Sequence, residues 1–449
     1  MMRTWIACLT GLIAPAWAQL IVVDGQFGDW PGQPAGAVDP AGDATGELDA
    51  TALKGLLSGD TVHVWLEIAQ TQNIQAGAQT QPDLVLRMEP DGLPALEMSC
   101  RGRVIRRTDN GQAVRWDAVR FAGSPTFAAR QFEMRFDFSL FGTVGPRGVR
   151  LSLSGCDELP EPVVVQAAAG KELPTPASIE PAHKPALRLA SLNTRRTGLL
   201  AAPQAPRLTR LLRASEADVY LLQEEYNSSE AQVMSIFNTM RPLPDGASWQ
   251  VHKRGDTAVV SRFPMIDLPN YDTSYSAAAV QTDEGPVVIV SVHPKCCGYA
   301  GSSEDQQRIT QAGLTARLIE EIRAGQHDGQ TDLAEAPVII GGDWNLVGSR
   351  GPLDRLTEPQ LPDMAELSLV RTGAADTATW REPGGLGFAP GRLDLVVYDR
   401  RRLKALKPEI WDTSLMSPEK LAHLELQPDD SDGSDHFLLV AEFAFKTGS

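Results

Sequence analysis

Hydrophobic and polar positions alternate along two stretches in the N-terminal third of the chain. Apolar residues occupy every second position over residues 62–68 and again over residues 132–138. A period of two indicates strands with one buried face. Short segments of this kind, separated by Gly, Pro, Asp and Asn, are typical of a β-sandwich. We therefore predict an all-β sandwich domain over residues 19–165.

From residue 186 the pattern changes to short apolar runs that alternate with amphipathic stretches. Strands are predicted at 187–192, 219–222, 277–280, 287–292, 338–340, 393–398 and 437–445, and helices at 206–217 and 304–322. This alternation predicts a layered α/β domain over residues 186–449. Residues 166–185 contain four prolines and no periodicity, which predicts a semi-extended linker. Two domains agree with a length of 449 residues, too long for one hydrophobic core.

The first 18 residues have the composition of an export signal. Arg3 precedes an apolar run over residues 5–13, and Ala16, Trp17 and Ala18 form a small-residue cleavage site. The run is shorter than the roughly 20 residues that a bilayer span needs, which makes a membrane anchor the weaker alternative. Nothing later in the chain is long and apolar enough to span a membrane. We expect an exported protein, periplasmic or extracellular.

Removal of that segment leaves four cysteines, Cys100, Cys156, Cys296 and Cys297. In an oxidising compartment an even number suggests disulfides, and four cysteines allow three connectivities. Cys100 with Cys156 is the first expectation, because both lie in the N-terminal half. The adjacent Cys296 and Cys297 form either a strained bridge or two free thiols. Zinc is less favoured, since the chain contains no CxxC pair.

The net charge of −16 argues against a large basic surface of the kind that grips duplex DNA. If the substrate is a polyanion, bound cations must supply much of the positive charge. The charge therefore favours a metal site.

Aspartates are concentrated near the start of the sandwich. The stretch VDGQFGDW at residues 23–30, followed by Asp39, Asp43 and Asp49, resembles the start of family 9 carbohydrate-binding and DOMON-like modules. These aspartates are candidate Ca²⁺ ligands, although Asp and Gly are also ordinary turn formers. The resemblance implies a glycan or a surface ligand as the partner of this domain. Trp30 or Trp65 would stack on a sugar if exposed, and would pack in the core if not.

The sequence PVIIGGDWNL at residues 337–346 has the features of an active-site edge. Residues 338–340 read as a strand buried on both faces, and Gly341 and Gly342 are expected to break it. If the chain stays extended, Asp343 and Asn345 point the same way. Open α/β sheets place their chemistry at the carboxyl ends of such strands.

Polar residues also follow or precede the other predicted strands. Singly, each is an ordinary turn or structural residue. The pieces are RLASLNT with Asn193, LLQEE with Glu224, VVSRFP with Arg262, VSVHPK with His293, GGDWN with Asp343 and Asn345, GRLDLVVY with Asp394, and SDH with Asp435 and His436. In this order the set resembles the endonuclease/exonuclease/phosphatase superfamily, the fold of deoxyribonuclease I, over residues 186–445. The resemblance implies a four-layered α/β sandwich with two central mixed sheets, and metal-dependent hydrolysis of a phosphate ester.

The resemblance also implies a metal site made by Asn193, Glu224 and Asp435. These side chains offer only oxygen ligands, which suit Mg²⁺, with Mn²⁺ as an alternative. Glu225 is expected to be a solvated neighbour.

By position and by resemblance, Asp343 accepts a proton from the attacking water or orients it, and Asn345 holds the water or the phosphate. His436 contacts the phosphate or acts as an acid, and Asp394 orients His436. His293 is either the proton donor to the leaving oxygen or a phosphate clamp. Which histidine has which role stays open.

Three arginines are candidate phosphate ligands. Arg195 and Arg196 follow Asn193 after Thr194 and would line the rim, or else belong to a solvated loop. Arg262 would reach the phosphate or pair locally. The loop HPKCCGY after residue 292 departs from the HxxSG-like sequence common in the superfamily, so the substrate is less certain than the reaction class.

The sequence therefore predicts an exported, Mg²⁺-dependent phosphodiesterase that hydrolyses extracellular nucleic acid. One alternative is a phosphatase or a sphingomyelinase-like phospholipid diesterase of the same fold. The other is a glycan- or surface-binding protein with a catalytically silent second domain.

Overall fold

The computed structural model describes residues 21–30, 36–75, 82–166, 186–326, 333–382 and 384–446. The expected signal peptide (1–18) and all but the first residue of the expected linker (166–185) lie outside these ranges. Within them, no helix combines the length and the hydropathy that crossing a membrane requires.

In the N-terminal part all strands pair antiparallel, and the helices described there are two short 3-10 helices. In chain order the strands are β1 (Ala37–Val38), β2 (Ala50–Ser58), β3 (Thr61–Gln72), β4 (Leu84–Pro90), β5 (Leu96–Ser99), β6 (Val104–Arg107), β7 (Ala113–Val114), β8 (Ala122–Ser124), β9 (Ala129–Asp137), β10 (Val149–Gly155) and β11 (Val163–Val165). One sheet has the order β1-β2-β3-β9-β8 and the other β11-β10-β4-β5-β6-β7. Apolar side chains from both sheets form one shared core. The predicted β-sandwich is confirmed.

The alternating pattern predicted an exposed face for β3 and β9, and this prediction is wrong. His63, Trp65 and Arg135 belong to that face, and all three are buried. Trp65 packs with Trp30 in a small separate core, and Arg135 pairs with Asp376 of the C-terminal part. The polar face is covered by other parts of the same chain, so neither tryptophan is exposed for stacking on a sugar.

The C-terminal part contains strands β12 (Leu187–Asn193), β13 (Val219–Gln223), β14 (Gln250–Arg254), β15 (Thr257–Ser261), β16 (Met265–Asp267), β17 (Tyr275–Thr282), β18 (Gly285–Val292), β19 (Val338–Asp343), β20 (Met364–Glu366), β21 (Val370–Arg371), β22 (Asp394–Asp399), β23 (Leu403–Ala405), β24 (Glu409–Trp411) and β25 (Leu438–Phe445). Its helices are α1 (Gln204–Ser215), α2 (Glu230–Met240), α3 (Ser303–Arg323), α4 (Gly351–Arg355) and α5 (Pro418–Leu424). Short 3-10 helices occur at Phe27–Asp29, Trp116–Val119, Gly198–Leu200, Pro244–Gly246, Thr413–Leu415 and Asp430–Gly433.

These elements form four layers around two central sheets. The first sheet has the order β14-β15-β13-β12-β25-β24-β21, with β23 also paired to β25, and the second has the order β16-β17-β18-β19-β22-β20. Both are mixed: β12 is parallel to β13, and β18 is parallel to β19. The sheets pack on each other through one apolar core, α1 and α2 cover the outer face of the first, and α3 and α4 cover that of the second. The predicted α/β sandwich is confirmed.

Helix α2 was missed in the sequence, although its start carries a clear signal. The Ser229 hydroxyl accepts a hydrogen bond from the backbone N–H of Gln232, and the Gln232 side chain accepts one from the backbone of Ser229. This reciprocal pair is a capping box, which satisfies two backbone donors at the start of a helix. Val233 and Phe237 then lie on the buried face.

Two glycines allow close packing beside the site, one between the sheets and one between neighbouring strands. The expectation that Gly341 and Gly342 break the strand is wrong, because β19 continues through both to Asp343. A Cβ on Gly341 would lie 2.7 Å from the Leu221 side chain in the facing sheet. Gly342 has φ +145°, and a Cβ there would lie 2.1 Å from the Val292 carbonyl oxygen. Close packing therefore requires both glycines.

The expected disulfide between Cys100 and Cys156 is not formed. Both are buried free thiols, and the Cys156 Sγ donates a hydrogen bond to the Leu48 carbonyl at 3.1 Å. Burial raises the pKa of the Cys100 thiol, which keeps it protonated and unreactive. Cys296 and Cys297 are exposed free thiols, with the Cys297 Sγ donating to the Cys296 Sγ at 2.8 Å.

Candidate active site

A cleft of about 440 Å³ lies where the carboxyl ends of the parallel strands meet. Glu224 follows β13, His293 follows β18 and Asp343 ends β19, while Asp435 and His436 precede β25. All five side chains line the cleft. The ends of the parallel strands lie at one edge of each sheet. Strand β25 is antiparallel to β12, so residues that precede β25 lie at the same edge although they are over 200 positions from Glu224.

Asp343 is at the centre of the polar cluster and is only 2% exposed. Its Oδ2 lies 3.5 Å from His293 Nε2 and 3.6 Å from His436 Nε2. The same oxygen accepts a hydrogen bond from the Asn193 amide at 3.1 Å, and Oδ1 accepts one from the backbone N–H of Asn345 at 2.9 Å. One carboxylate is thus held between two imidazoles, in a fixed orientation.

The Nδ1 atom of each histidine is hydrogen-bonded to a second carboxylate. His436 Nδ1 lies 2.7 Å from Asp394 Oδ2, and His293 Nδ1 is hydrogen-bonded to Asp256 Oδ2. A carboxylate at Nδ1 fixes the ring and directs Nε2 toward the cleft. Asp343, Asp394 and His436 offer ligand atoms within 4.8 Å of one another. These three side chains lie this close because His436 is hydrogen-bonded to Asp394 and faces Asp343.

These surroundings favour the charged form of both histidines. Burial alone would lower the pKa of His293, but Asp256, Asp343 and Glu224 outweigh burial and raise it. Burial also opposes charge on His436, and Asp394 and Asp343 again outweigh it and raise the pKa. The two histidines therefore place positive charge in a cleft that is also lined by carboxylates.

Asp256 was missed in the sequence. It lies in the tight turn between β14 and β15, at Gly255-Asp256, and its carbonyl oxygen accepts a hydrogen bond from the Glu225 backbone. A polar residue in a hairpin turn is an ordinary turn former, so composition gave no signal. Its role follows only from the contact with His293, which is 37 residues away.

Asn193 contacts both Glu224 and the residue that precedes Asp435. The Asn193 Nδ2 donates to Glu224 Oε1 at 3.2 Å, and the Asn193 carbonyl oxygen accepts from Ser434, the neighbour of Asp435. The nearest guanidinium to Asp435 is that of Arg195, at 3.9 Å. Carboxylate oxygens such as these are the ligands that suit a hard divalent cation.

The Asn193 side chain was predicted to bind a metal, and in the structure it hydrogen-bonds to protein groups. Its amide nitrogen faces both Glu224 and Asp343, and its Oδ1 accepts a hydrogen bond from the backbone of Arg195 at 2.9 Å. In this arrangement it holds the two carboxylates in place. Its role as a metal ligand stays a prediction.

Asn345 reaches the cleft by a turn and not by an extended strand. Its φ is +48°, in the left-handed region that Asn tolerates better than most residues. Its side-chain amide donates to the Pro294 carbonyl at 3.1 Å. Asp343 and Asn345 both line the cleft, but the spacing of two in an extended chain is not the reason.

The three candidate arginines lie in different places. Arg195 lines a groove next to the cleft, and Arg196 is exposed while its backbone N–H donates to Glu224 Oε2 at 2.8 Å. Arg262 follows β15 at the opposite end of the sheet and pairs with Asp218. The structure does not bring Arg262 to the cleft. Glu225, expected to be solvated, is buried and accepts a hydrogen bond from Thr194.

The N-terminal sandwich supplies a second wall of the cleft, which the sequence did not indicate. Ile74 and Gln75 follow β3, and Pro125 and Thr126 connect β8 to β9. The Thr126 hydroxyl donates to the carbonyl of Leu346 at 2.7 Å. Contacts of this kind depend on tertiary packing between distant segments, for which the local pattern holds no signal.

The acidic group in the sandwich differs from the predicted one. Asp39 and Asp43 lie with Asp157, their carboxylate oxygens within 4.8 Å of one another. Asp49 is not in that group, and accepts a hydrogen bond from the Gly42 backbone at 2.8 Å. Ca²⁺ binding there stays a prediction.

Comparisons with known proteins place the chain in a family. The family model described as Endonuclease/Exonuclease/phosphatase family matches residues 190–436. No curated protein matches the chain.

Solved structures that are similar to this chain include the following three. The β toxin of Staphylococcus aureus is 16% identical, with 57% of this chain and 99% of that chain covered and a TM-score of 0.36. Truncated Caenorhabditis elegans TDP2 is 18% identical, with coverages of 58% and 98% and a TM-score of 0.36. The human Nocturnin catalytic domain is 17% identical, with coverages of 58% and 94% and a TM-score of 0.37.

The family match covers more than half of the chain. It contains every residue of the polar cluster, from Asn193 to His436, and every strand of the second sheet. Because the match and the cluster coincide, the chain belongs to the Endonuclease/Exonuclease/phosphatase family.

Proposed function

We propose that this protein is an exported, metal-dependent phosphodiesterase that hydrolyses nucleic acid. The observation that carries the proposal is the position of Asp343 Oδ2 between His293 Nε2 and His436 Nε2, at 3.5 and 3.6 Å. A base flanked by two proton donors suits attack of water on a phosphate ester, because the reaction removes a proton from water and returns one to the leaving oxygen.

Asp343 is the group that accepts the proton of the attacking water. Its orientation is fixed by hydrogen bonds from Asn193 and from the backbone of Asn345. Its 2% exposure keeps bulk water from competing for the carboxylate. These contacts hold the base in its reactive orientation before the reaction begins. A preorganised site of this kind lowers the activation barrier because its groups need not rearrange.

The two histidines supply positive charge and protons to the phosphate. Each is held at Nδ1 by a carboxylate, so Nε2–H is free to donate into the cleft. One imidazolium donates to a non-bridging oxygen, and the other protonates the leaving oxygen. The near symmetry of their contacts with Asp343 leaves the assignment of the two roles open.

A divalent cation completes the charge balance of the site. Glu224 and Asp435, with Asn193 beside them, are the residues that would hold it. When bound there, Mg²⁺ supplies positive charge to a phosphate oxygen.

The choice of nucleic acid as substrate is supported by the surface next to the cleft. A groove that shares Asp435 with the cleft is lined by Arg115, Arg120, Arg135, Arg195, Arg371 and Arg381. Each of the six pairs with a carboxylate, so the support comes from the continuity of the groove with the cleft, which suits a chain of phosphates.

A phospholipid or small phosphate ester is the second candidate substrate. Apolar residues, among them Ile74, Val347 and Phe388, line part of the cleft and would accept an uncharged group. A silent second domain is disfavoured, because Asp343, His293, His436 and their carboxylate partners are all in contact.

The test is turnover by the full chain after its expected cleavage site, residues 19–449. Single-stranded DNA, plasmid DNA, RNA, sphingomyelin vesicles and a phosphomonoester are each incubated with Mg²⁺ or with EDTA. Wild-type protein is compared with Asp343→Asn, which keeps the shape and removes the base. We expect Mg²⁺-dependent cleavage of nucleic acid, and a loss of about 10²–10⁴-fold in the variant.

A matched control is Asp283→Asn. Asp283 is exposed in the turn between β17 and β18, at the opposite end of β18 from His293. It removes the same charge and should leave turnover unchanged. Cleavage of lipid alone would reassign the substrate, and absence of turnover on every ester would end the enzyme proposal. Export is tested separately, by the N-terminal residue of protein recovered outside the cytoplasm.

A further inference from the structure

The cleft extends beyond the polar cluster to an apolar end built by both parts of the chain. Ile74 comes from the N-terminal sandwich, while Val347, Phe388 and Ala389 come from the C-terminal part. Hydrogen bonds join the two sides: the Asn73 side chain donates to the Val347 carbonyl at 2.9 Å, and the Ala389 backbone donates to the Gln75 side chain at 2.9 Å. The apolar end is therefore a fixed feature of the fold.

Phe388 is the largest apolar side chain exposed at this end, with 38% of its area accessible. The guanidinium carbon of Arg103 lies 3.8 Å from the centroid of its ring. Arg103 is held in turn, because its Nε donates to the Gln75 carbonyl at 2.6 Å. One side of the ring is thus supported by a cation from the sandwich, and ring surface remains open to the cleft.

The backbone beside Phe388 is also fixed. The Trp116 indole N–H, again from the sandwich, donates to the carbonyl of Gly387 at 3.1 Å. An exposed aromatic ring normally loses conformational freedom when it binds a ligand. Here the neighbouring contacts have already restricted the segment, so a ligand would find a preorganised ring.

We propose that the Phe388 ring is a stacking platform for an unpaired nucleobase next to the scissile phosphate. The proposal rests on the proposed function and narrows its substrate to single-stranded or unpaired nucleic acid. The Phe388 ring, with the Arg103 guanidinium on one face, favours a planar aromatic ligand on the other. Stacking of bases on aromatic side chains is the usual way in which proteins bind single-stranded nucleic acid.

Two features favour a base over a lipid chain and over duplex DNA. The whole cleft is about 440 Å³ in volume, within the range of small-ligand sites, and it has walls from both parts of the chain. Bases in a duplex are stacked on each other and do not offer a free face. The N-terminal sandwich therefore acts as a specificity element, through Arg103 and Ile74.

The test compares two short fluorescent single strands, one with normal bases and one with abasic sites flanking the central phosphodiester. With Mg²⁺ and the full chain we expect KM to be about tenfold higher for the abasic strand. Phe388→Ala should raise KM for the normal strand by a similar factor and leave the abasic strand unchanged. Phe388→Trp should restore the preference, which a general loss of folding would not allow.

The matched control is Leu386→Ala, two residues away. Leu386 is 46% exposed and is absent from the residues described as lining the cleft, so KM for both strands should not change. Binding without turnover is measured by fluorescence anisotropy in the Asp343→Asn background, where Phe388→Ala should weaken binding of the normal strand only.

The outcomes separate this proposal from the proposed function. Turnover of both strands with equal KM would overturn the base platform and leave the phosphodiesterase intact. Absence of turnover, with base-dependent binding in the anisotropy assay, would overturn the enzyme proposal and support the platform. If Phe388→Ala impairs hydrolysis of sphingomyelin vesicles and not of either strand, the platform is a lipid site and the proposal is wrong.

Discussion

Arg135 of strand β9 donates a hydrogen bond through Nη1 to Asp376 Oδ2 at 2.7 Å, which joins the N-terminal sandwich to the C-terminal domain. Asp376 is fully buried and also accepts a hydrogen bond from Arg371 at 2.7 Å. The pKa of Asp376 is lowered because Arg371 and Arg135 outweigh its burial, so it stays charged. The two parts of the chain share a buried ionic contact as well as a cleft.

The first prediction concerns the stability that this contact provides. Asp376→Asn leaves Arg135 without its buried counter-charge, which should lower the free energy of unfolding by about 3–5 kcal/mol. The measurement is urea unfolding followed by tryptophan fluorescence. Arg147→Ala is the control, because Arg147 pairs with Asp91 on the surface, where such pairs contribute about 1 kcal/mol or less. Equal effects of the two substitutions would contradict the prediction.

The second prediction concerns pH and His63, which lies in the same buried face. Burial and the nearby Arg135 lower the pKa of His63 to about 3, with Asp376 acting in the opposite direction. Between about pH 6.5 and pH 3 the unfolded chain therefore binds a proton that the folded chain does not. Stability should fall with acid in this window, by up to about 1.4 kcal/mol for each pH unit.

The measurement is the free energy of unfolding at pH 7 and pH 5, for wild type and His63→Gln. The variant should lose less stability on acidification, because its side chain does not titrate. His423→Gln is the control, since His423 is exposed in α5. An unchanged slope in the His63 variant would show that other groups cause the acid dependence.

The sequence predicted the fold well where burial is dictated by local pattern. Strand β12 was predicted at 187–192 and is buried over most of its length, and the resemblance carried by Asn193 and Asp343 implied the correct layered architecture. The order of motifs is informative because strand ends converge in this fold. That convergence comes from the ends of the parallel strands β13 and β19 together with the starts of β22 and β25, which pair antiparallel with their neighbours.

The rest depended on contacts between distant segments. The sequence could not show that the polar face of β3 is buried, since His63 and Trp65 alternate as solvent-facing residues do. Asp256 looks like any turn residue until His293 is placed beside it. The second wall of the cleft likewise arises from packing between the N-terminal sandwich and the C-terminal part. The periodicity of a sequence indicates local structure and cannot predict such packing.

The third prediction tests Asp256 as the residue that positions His293. Asp256→Asn removes the charge that holds the imidazolium and should lower kcat about 100-fold, with KM changed by only about two- to threefold. Steady-state kinetics on a single-stranded oligonucleotide provide both constants. Asp283→Asn again controls for the loss of one negative charge. A variant that loses stability but keeps kcat would assign Asp256 a purely structural role.

The fourth prediction tests the metal site through Glu224. Glu224 accepts hydrogen bonds from the Arg196 backbone at 2.8 Å and from the Asn193 amide at 3.2 Å, which turn it toward the cleft. Glu224→Gln removes an anionic ligand, so the Mg²⁺ concentration for half-maximal activity should rise about tenfold or more. The shift of the melting temperature with Mg²⁺ gives a second measure that does not depend on turnover.

Glu161→Gln is the matched control for this metal prediction, because Glu161 is exposed between β10 and β11, in the N-terminal sandwich. Long-range charge alone would make the two variants respond alike, whereas direct ligation makes only Glu224→Gln require more Mg²⁺. If Glu224→Gln keeps the wild-type Mg²⁺ dependence in both measurements, Glu224 is not a ligand. In that case its fixed orientation serves to hold Asn193, and through Asn193 the base Asp343.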